Sequence, residues 1–167
     1  MAVSYKDQDL VKANDLLLYI YSGSTSGSAV PVAFPVAFGT NVQVQIDGQT
    51  ISANNKMACK WQTNMAGNNS FTISSDSLYT DTSDDFSYDD LFALMVAGGS
   101  VKFAVAQPTS GSVETCDSAT YDIDNTKIVA AGSGIITSLS LSAGVDEIAS
   151  CSVTITGSGQ LQQSAPF

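Results

Sequence analysis

Apolar and polar residues alternate with a period of two along most of this chain. In NVQVQID, Val42, Val44 and Ile46 fall on one side while Gln43, Gln45 and Asp47 fall on the other. SFTIS sets Phe71 and Ile73 against Thr72 and Ser74, and SVKFAVA sets Val101, Phe103 and Val105 against Lys102 and two alanines. IITSLSLS opposes Leu139 and Leu141 to Ser138, Ser140 and Ser142. Near the C-terminus, Cys151, Val153 and Ile155 alternate with Ser150, Ser152, Thr154 and Thr156. Successive side chains of a strand point to opposite faces, so each run predicts a half-buried antiparallel strand. The unbroken apolar run LLLYIY, residues 16–21, predicts one fully buried strand.

Turn signals punctuate these runs at Asp47-Gly48, Ala66-Gly67-Asn68, Gly98-Gly99, Gly132-Ser133-Gly134 and Ala143-Gly144. Pro31 and Pro35 flank VAF and suit an edge strand, because proline cannot donate to a central ladder. One helix is predicted over residues 87–97, in FSYDDLFALMVAGG. Ser87 is its N-cap, and Asp90, three residues on, reaches back to the cap amide. Asp89 and Asp90 sit where the helix dipole favours negative charge, and Gly98 ends the helix in a left-handed cap. Tyr88, Leu91, Phe92 and Met95 form the apolar stripe that such a short helix must lay on a sheet to be stable. The pattern therefore predicts a mainly β fold: an antiparallel β-barrel or sandwich with one short packed α-helix.

Composition narrows what this scaffold does. A chain of 167 residues is expected to form a single domain, 1–167, with a core of useful size. It holds six lysines, no arginine and no histidine against sixteen acidic residues, a net charge of −10. Without a basic footprint or an arginine fork, conventional nucleic-acid binding is not expected. Without histidine, the usual general base and the commonest metal ligand are missing, which removes Ser-His-Asp and Cys-His catalysis and most zinc sites. Cys59, Cys116 and Cys151 are widely spaced, odd in number and in no CxxC pair, and indicate neither a disulfide framework nor a zinc site. The start MAVSYKDQDL lacks the layout of a signal peptide, and no apolar run reaches the length of a membrane span. The expectation is a protein made in the cytoplasm, without membrane association.

Candidate chemistry is thin. Asp76, Asp81, Asp84, Asp85, Asp89 and Asp90 form an acidic run, and the frame starting at Asp81 alternates oxygen ligands somewhat as a calcium loop does. Its sixth position is Phe86 and its twelfth Phe92, where such a loop requires Gly and Glu, so a solvated loop leading into the helix is the better reading. Nothing distinguishes one carboxylate from another as a glycosidase pair would require. GSTSGSAV lacks the lysine of a phosphate-binding loop. The expectation is no enzymatic activity, with no catalytic, cofactor-binding or metal-ligating residues and no cofactor.

Three blocks in order carry a resemblance. PVAFGTNVQVQIDGQTISANNK (residues 35–56) is a strand, a glycine-containing turn and an extended piece ending on lysine; NNSFTISSDSLYTD (residues 68–81) leads from a strand towards the helix. GSGIITSLSLSAGVDEIASCSVTITGSGQL (residues 132–161) is a hairpin closing on a Gly-Ser-Gly exit. Over residues 35–161 this series resembles the major tail tube proteins of tailed bacteriophages.

The resemblance implies a structural subunit of the virion tail that forms hexameric rings stacked into a tube. DNA would pass through that tube without specific binding, with tape-measure and other tail proteins as further partners. An acidic, arginine-free chain suits a wall along which DNA must slide. On this reading the face lining the tube is either Gln43, Gln45 and Asp47, or Ser138, Ser140 and Ser142. The ordinary alternative is that both are outer surface. Asn54, Asn55 and Lys56 resemble the loop used between neighbouring subunits. Among other classes, a β-sandwich binding module such as an adhesin or carbohydrate-binding domain shares the alternation.

Overall fold

The computed structural model describes residues 15–22, 32–36, 39–53, 63–80, 86–109 and 122–165. Seven strands and one helix follow in chain order: β1 (Leu17–Ser22), β2 (Val32–Pro35), β3 (Gly39–Ser52), β4 (Asn64–Leu78), α1 (Tyr88–Ala97), β5 (Val101–Pro108), β6 (Ile123–Ser142) and β7 (Ser150–Gly157). All strand pairs are antiparallel, in one sheet of order β2-β1-β5-β6-β7-β4-β3. The predicted edge strand around Pro35 is the edge strand β2, and LLLYIY supplies the buried strand β1.

The sheet curls so that its two ends share a core. Leu18 and Ile20 of β1 and Val101, Phe103 and Val105 of β5 pack with Phe71 and Ile73 of β4 and Val153 and Ile155 of β7. Phe71 and Phe103 meet edge to face, with ring centroids 5.9 Å apart. Each such side chain, fully buried, contributes about 1.5–3 kcal/mol. The other face of the β1–β5 region is buried as well. Ala104 and Ala106 leave room for Tyr19 and Tyr21, which pack against them with Ile128 and Ala131. The alternation in SVKFAVA therefore separates two apolar clusters rather than core from solvent, except at exposed Lys102.

Three of the five turn signals lie inside strands. Gly132-Ser133-Gly134 is the corner of β6, where that strand leaves β5 and joins β7: Gly134 pairs with both Val101 and Gly157. A Cβ on Gly134 would come within 2.5 Å of the Ile155 side chain and 2.7 Å of the Thr156 carbonyl oxygen. The glycine is there for close approach of two strands and not for chain reversal. Asp47-Gly48 and Ala66-Gly67-Asn68 stand opposite one another, and together they form a β-bulge between Gly48 and Thr50 that the β3–β4 hairpin runs straight through.

The helix begins and ends where the sequence places it. Ser87 is extended, its amide donates to Asp90 Oδ2 at 3.2 Å, and Gly98 closes the helix in the left-handed region. Asp90→Ala removes this bond and a first-turn negative charge. It is expected to lower stability by about 0.5–1 kcal/mol, read as a lower urea midpoint with an unchanged slope. The buried face differs from the predicted stripe. Leu91 is buried and Leu94 half-buried, whereas Phe92 and Met95 are exposed.

Candidate functional site

Among the described residues, four segments build one continuous polar surface. Residues directly opposite in neighbouring strands point to the same side of a sheet. Gln43 pairs with Ser74, Ser74 with Thr154, and Thr154 with Ser138. One row on, Asn41, Asp76, Ser152 and Ser140 stand in line. Gln45, Thr72 and Thr156 form a row on the other side, and Ser150 joins Ser142 at the end of the strands.

The two groups that the sequence offers as alternatives, Gln43–Gln45–Asp47 and Ser138–Ser140–Ser142, are thus the two flanks of a single face. Both are exposed. The opposite side of the same strands carries Val42, Val44, Phe71, Ile73, Val153, Ile155 and Ile136, which pack on the core.

The polar face is held by its own hydrogen bonds. Ser152 donates to Asp76 Oδ1 at 2.6 Å, and Asn41 donates to Asp76 Oδ2 at 3.4 Å. Gln45 donates to both carboxylate oxygens of Asp47, at 3.2 and 3.0 Å. In β6 the register shifts between Ile136 and Ser138, which leaves Thr137 as the extra residue. Its hydroxyl lies 3.1 Å from that of Thr156 and donates to the Thr154 carbonyl at 3.3 Å. Sequence reasoning missed Asn41, Asp76 and Thr137 as members. The alternation marks each strand's polar side, but only the pairing register shows that they adjoin.

The face bears two carboxylates, Asp47 and Asp76, and no lysine occurs in β3, β4, β7 or the part of β6 after Gly134. Its remaining side chains are chiefly hydroxyls and amides, which form no phosphate-binding cluster. Cys151 lies on the other side, buried, where burial pushes its thiol above the usual range while a hydrogen bond from Ser77 works the other way. A thiol so placed is a packing group rather than a nucleophile.

Both edges of this four-stranded unit are open among the described residues. β3 is the last strand of the sheet. β6 pairs with β5 only as far as Gly134, so from Ile135 to Ser142 it has β7 on one side and no strand on the other. Beyond Phe71, β4 likewise leaves β7, and the β3–β4 hairpin continues as a two-stranded arm with exposed Ile51 and Met65. Asn54, Asn55 and Lys56 lie outside the described residues, as do Cys59, Trp61, Asp81, Asp84, Asp85 and Cys116.

The family model described as "Phage tail tube protein" matches residues 10–163. No curated protein matches the chain. Among solved structures, the chain is similar to a protein from the tail of an empty gene transfer agent particle with C6 symmetry: TM-score 0.68, 18% identity, 93% of this chain and 100% of that one. It is also similar to a chain from the virion of a native gene transfer agent particle (TM-score 0.66, 16% identity, 93% of this chain and 100% of that one). A third similar structure is the SPP1 tail tube, with TM-score 0.64 and 12% identity over 95% of this chain and 81% of that one. These structures share the fold of this chain.

Proposed function

The chain belongs to the phage tail tube protein family, and from that premise we propose that six copies of this structural subunit close into a ring lined by the polar face of β3, β4, β7 and the second half of β6. The observation that carries the proposal is the pair of open edges on that face. β3, β4, β7 and β6 run in alternating directions, so β3 of one copy meets β6 of the next in antiparallel sense. Four strands per copy preserve the alternation at every joint, and closure removes edges that would otherwise template uncontrolled pairing. The C6 symmetry of the similar gene transfer agent tail supports six copies.

Six such units give an inner sheet of about 24 strands. At about 4.8 Å between strands, its backbone diameter is roughly 37 Å before strand tilt widens it. Rings of this kind stack into a tube through which DNA passes. With Asp47 and Asp76 as its charges, the wall repels phosphate weakly and offers nothing to hold it.

The single-domain reading is supported by the one sheet that joins all seven strands. The segment bearing Asn54, Asn55 and Lys56 lies between β3 and β4 in the chain, and we assign it to contacts between subunits. The exposed Ile51 and Met65 on the arm that leads to it support that role, because a two-stranded ribbon alone is marginally stable. Engagement of a tape-measure protein, and synthesis in the host bacterial cytoplasm, complete the proposal.

Electron microscopy of the concentrated purified protein tests it. Hollow tubes or rings with sixfold symmetry are expected. A protein that stays monomeric under all assembly conditions overturns the ring.

A further inference from the structure

Among the described residues, much of the apolar surface of α1 stays exposed. Leu91 reaches the core, but Phe92 is 52% exposed, Met95 38% and Val96 70%. α1 packs along β6 more than along any other strand, and on the core side of the sheet, since Leu91 and Leu94 join the cluster that holds Ile136 and Val153. It therefore lies next to the strand whose edge is open from Ile135 to Ser142.

At the opposite edge of the four-stranded unit, β3 shows the complementary deficit. Val42 and Val44 on its core side are only half-buried, and Ile46, on that same side, is 61% exposed. Charged residues are absent from both patches: between Leu91 and Ala97 the helix carries none, and neither does β3 between Gly39 and Ile46.

We propose that the outward face of α1, formed by Phe92, Met95 and Val96, receives the core side of β3, with Ile46 at its centre, from the neighbouring copy of this chain. The inference rests on the ring described above and adds a second layer to its joint. Backbone pairing of β3 with β6 places the core side of the incoming strand on the side of the sheet where α1 lies. Within one subunit, Ile46 and the C-terminal end of α1 lie near the same level of the sheet. Ile46 pairs with Phe71, whose ring lies against Gly157, and Gly157 pairs with Gly134. Val101, opposite Gly134, begins three residues after the cap of α1 at Gly98. A contact of this kind buries apolar side chains that a lone subunit leaves in water, so closure of the ring is favoured over free monomers.

Mixing two variants, each with one introduced cysteine, tests the contact between molecules. Ile46→Cys and Val96→Cys protein are combined in equal amounts, assembled into tubes and oxidised, and Phe92→Cys replaces Val96→Cys in a parallel sample one helical turn away. Covalent dimer is expected on a non-reducing gel from at least one mixture, well above the background that Cys59, Cys116 and Cys151 give in each variant alone. Tubes that form normally but yield no dimer from either mixture overturn the contact and leave the ring intact. Failure of the unaltered protein to assemble overturns both.

In addition, Phe92→Ser/Val96→Ser is expected to keep the far-ultraviolet dichroism of the monomer and to raise the concentration needed for assembly by about tenfold, as loss of a hot-spot contact does. An unchanged assembly concentration counts against the proposal. Docking of an unrelated tail protein on α1 would appear as unchanged assembly together with absent cross-links.

Discussion

Gly157→Ala is expected to destabilise the subunit by about 3 kcal/mol, more than most single-methyl additions to this protein. A Cβ at position 157 would be built into the ring of Phe71. That ring cannot step aside cheaply. Phe71 is 5% exposed, packs edge to face on fully buried Phe103, and belongs to the main core cluster. Relief requires either displacing the ring or shifting β7 away from β4, which breaks the ladder from Thr72 to Leu78. For a chain of this size the loss corresponds to a melting temperature lower by roughly 6–12 °C. Thermal unfolding of the unassembled protein checks it, and a melting temperature within a degree of the parent's would show that the core yields more readily than the packing indicates. Phe71→Leu in the Gly157→Ala background should recover part of the loss, because it removes the ring that the new methyl meets.

Reversing the character of the polar face is expected to have the largest functional effect. Gln43→Lys/Gln45→Lys puts twelve positive charges into each six-copy ring at positions where both side chains are exposed, so the subunit fold should be unaffected. If that face lines the tube, short duplex DNA incubated with fragmented, open-ended tubes should be retained by the variant and not by the parent. Retention should fall by about a thousandfold or more between 50 and 200 mM salt if six or more phosphates are engaged per ring. The retained DNA should also resist nuclease, because the enzyme is excluded by the wall. DNA that binds but is fully digested would place the face on the outside of the assembly. Ser138→Lys should act in the same direction, since Ser138 stands in the row of Gln43 at the other flank of the face.

The same face shows how far sequence reading reaches. Period-two alternation in residues 41–47, 71–74, 138–142 and 150–156 identified strands and their two sides, because side-chain direction along a strand is a local property of the backbone. The helix was legible for a similar reason: Ser87, Asp90 and Gly98 act within one turn of its ends. The absence of arginine and histidine, and the order of the three blocks, were enough to point to a tail tube subunit rather than an enzyme.

Other features depend on what lies across from a residue, and these only the folded chain decided. Gly132 and Gly134 read as a turn because glycine marks chain reversal and close approach with the same letter; at Gly134 the approach of Ile155 and Thr156 selects the second. Tyr88, Leu91, Phe92 and Met95 read as one buried stripe, yet β6 accepts only the flank with Leu91 and Leu94, which leaves Phe92 and Met95 to solvent or to a second copy. The glutamines of β3 and the serines of β6 read as rival candidates because alternation assigns each strand two sides without linking the sides of different strands. Joining them takes the registers β3–β4, β4–β7 and β7–β6, set by packing between residues far apart in the chain. Sequence determined which residues are polar-facing; tertiary pairing alone made them one face.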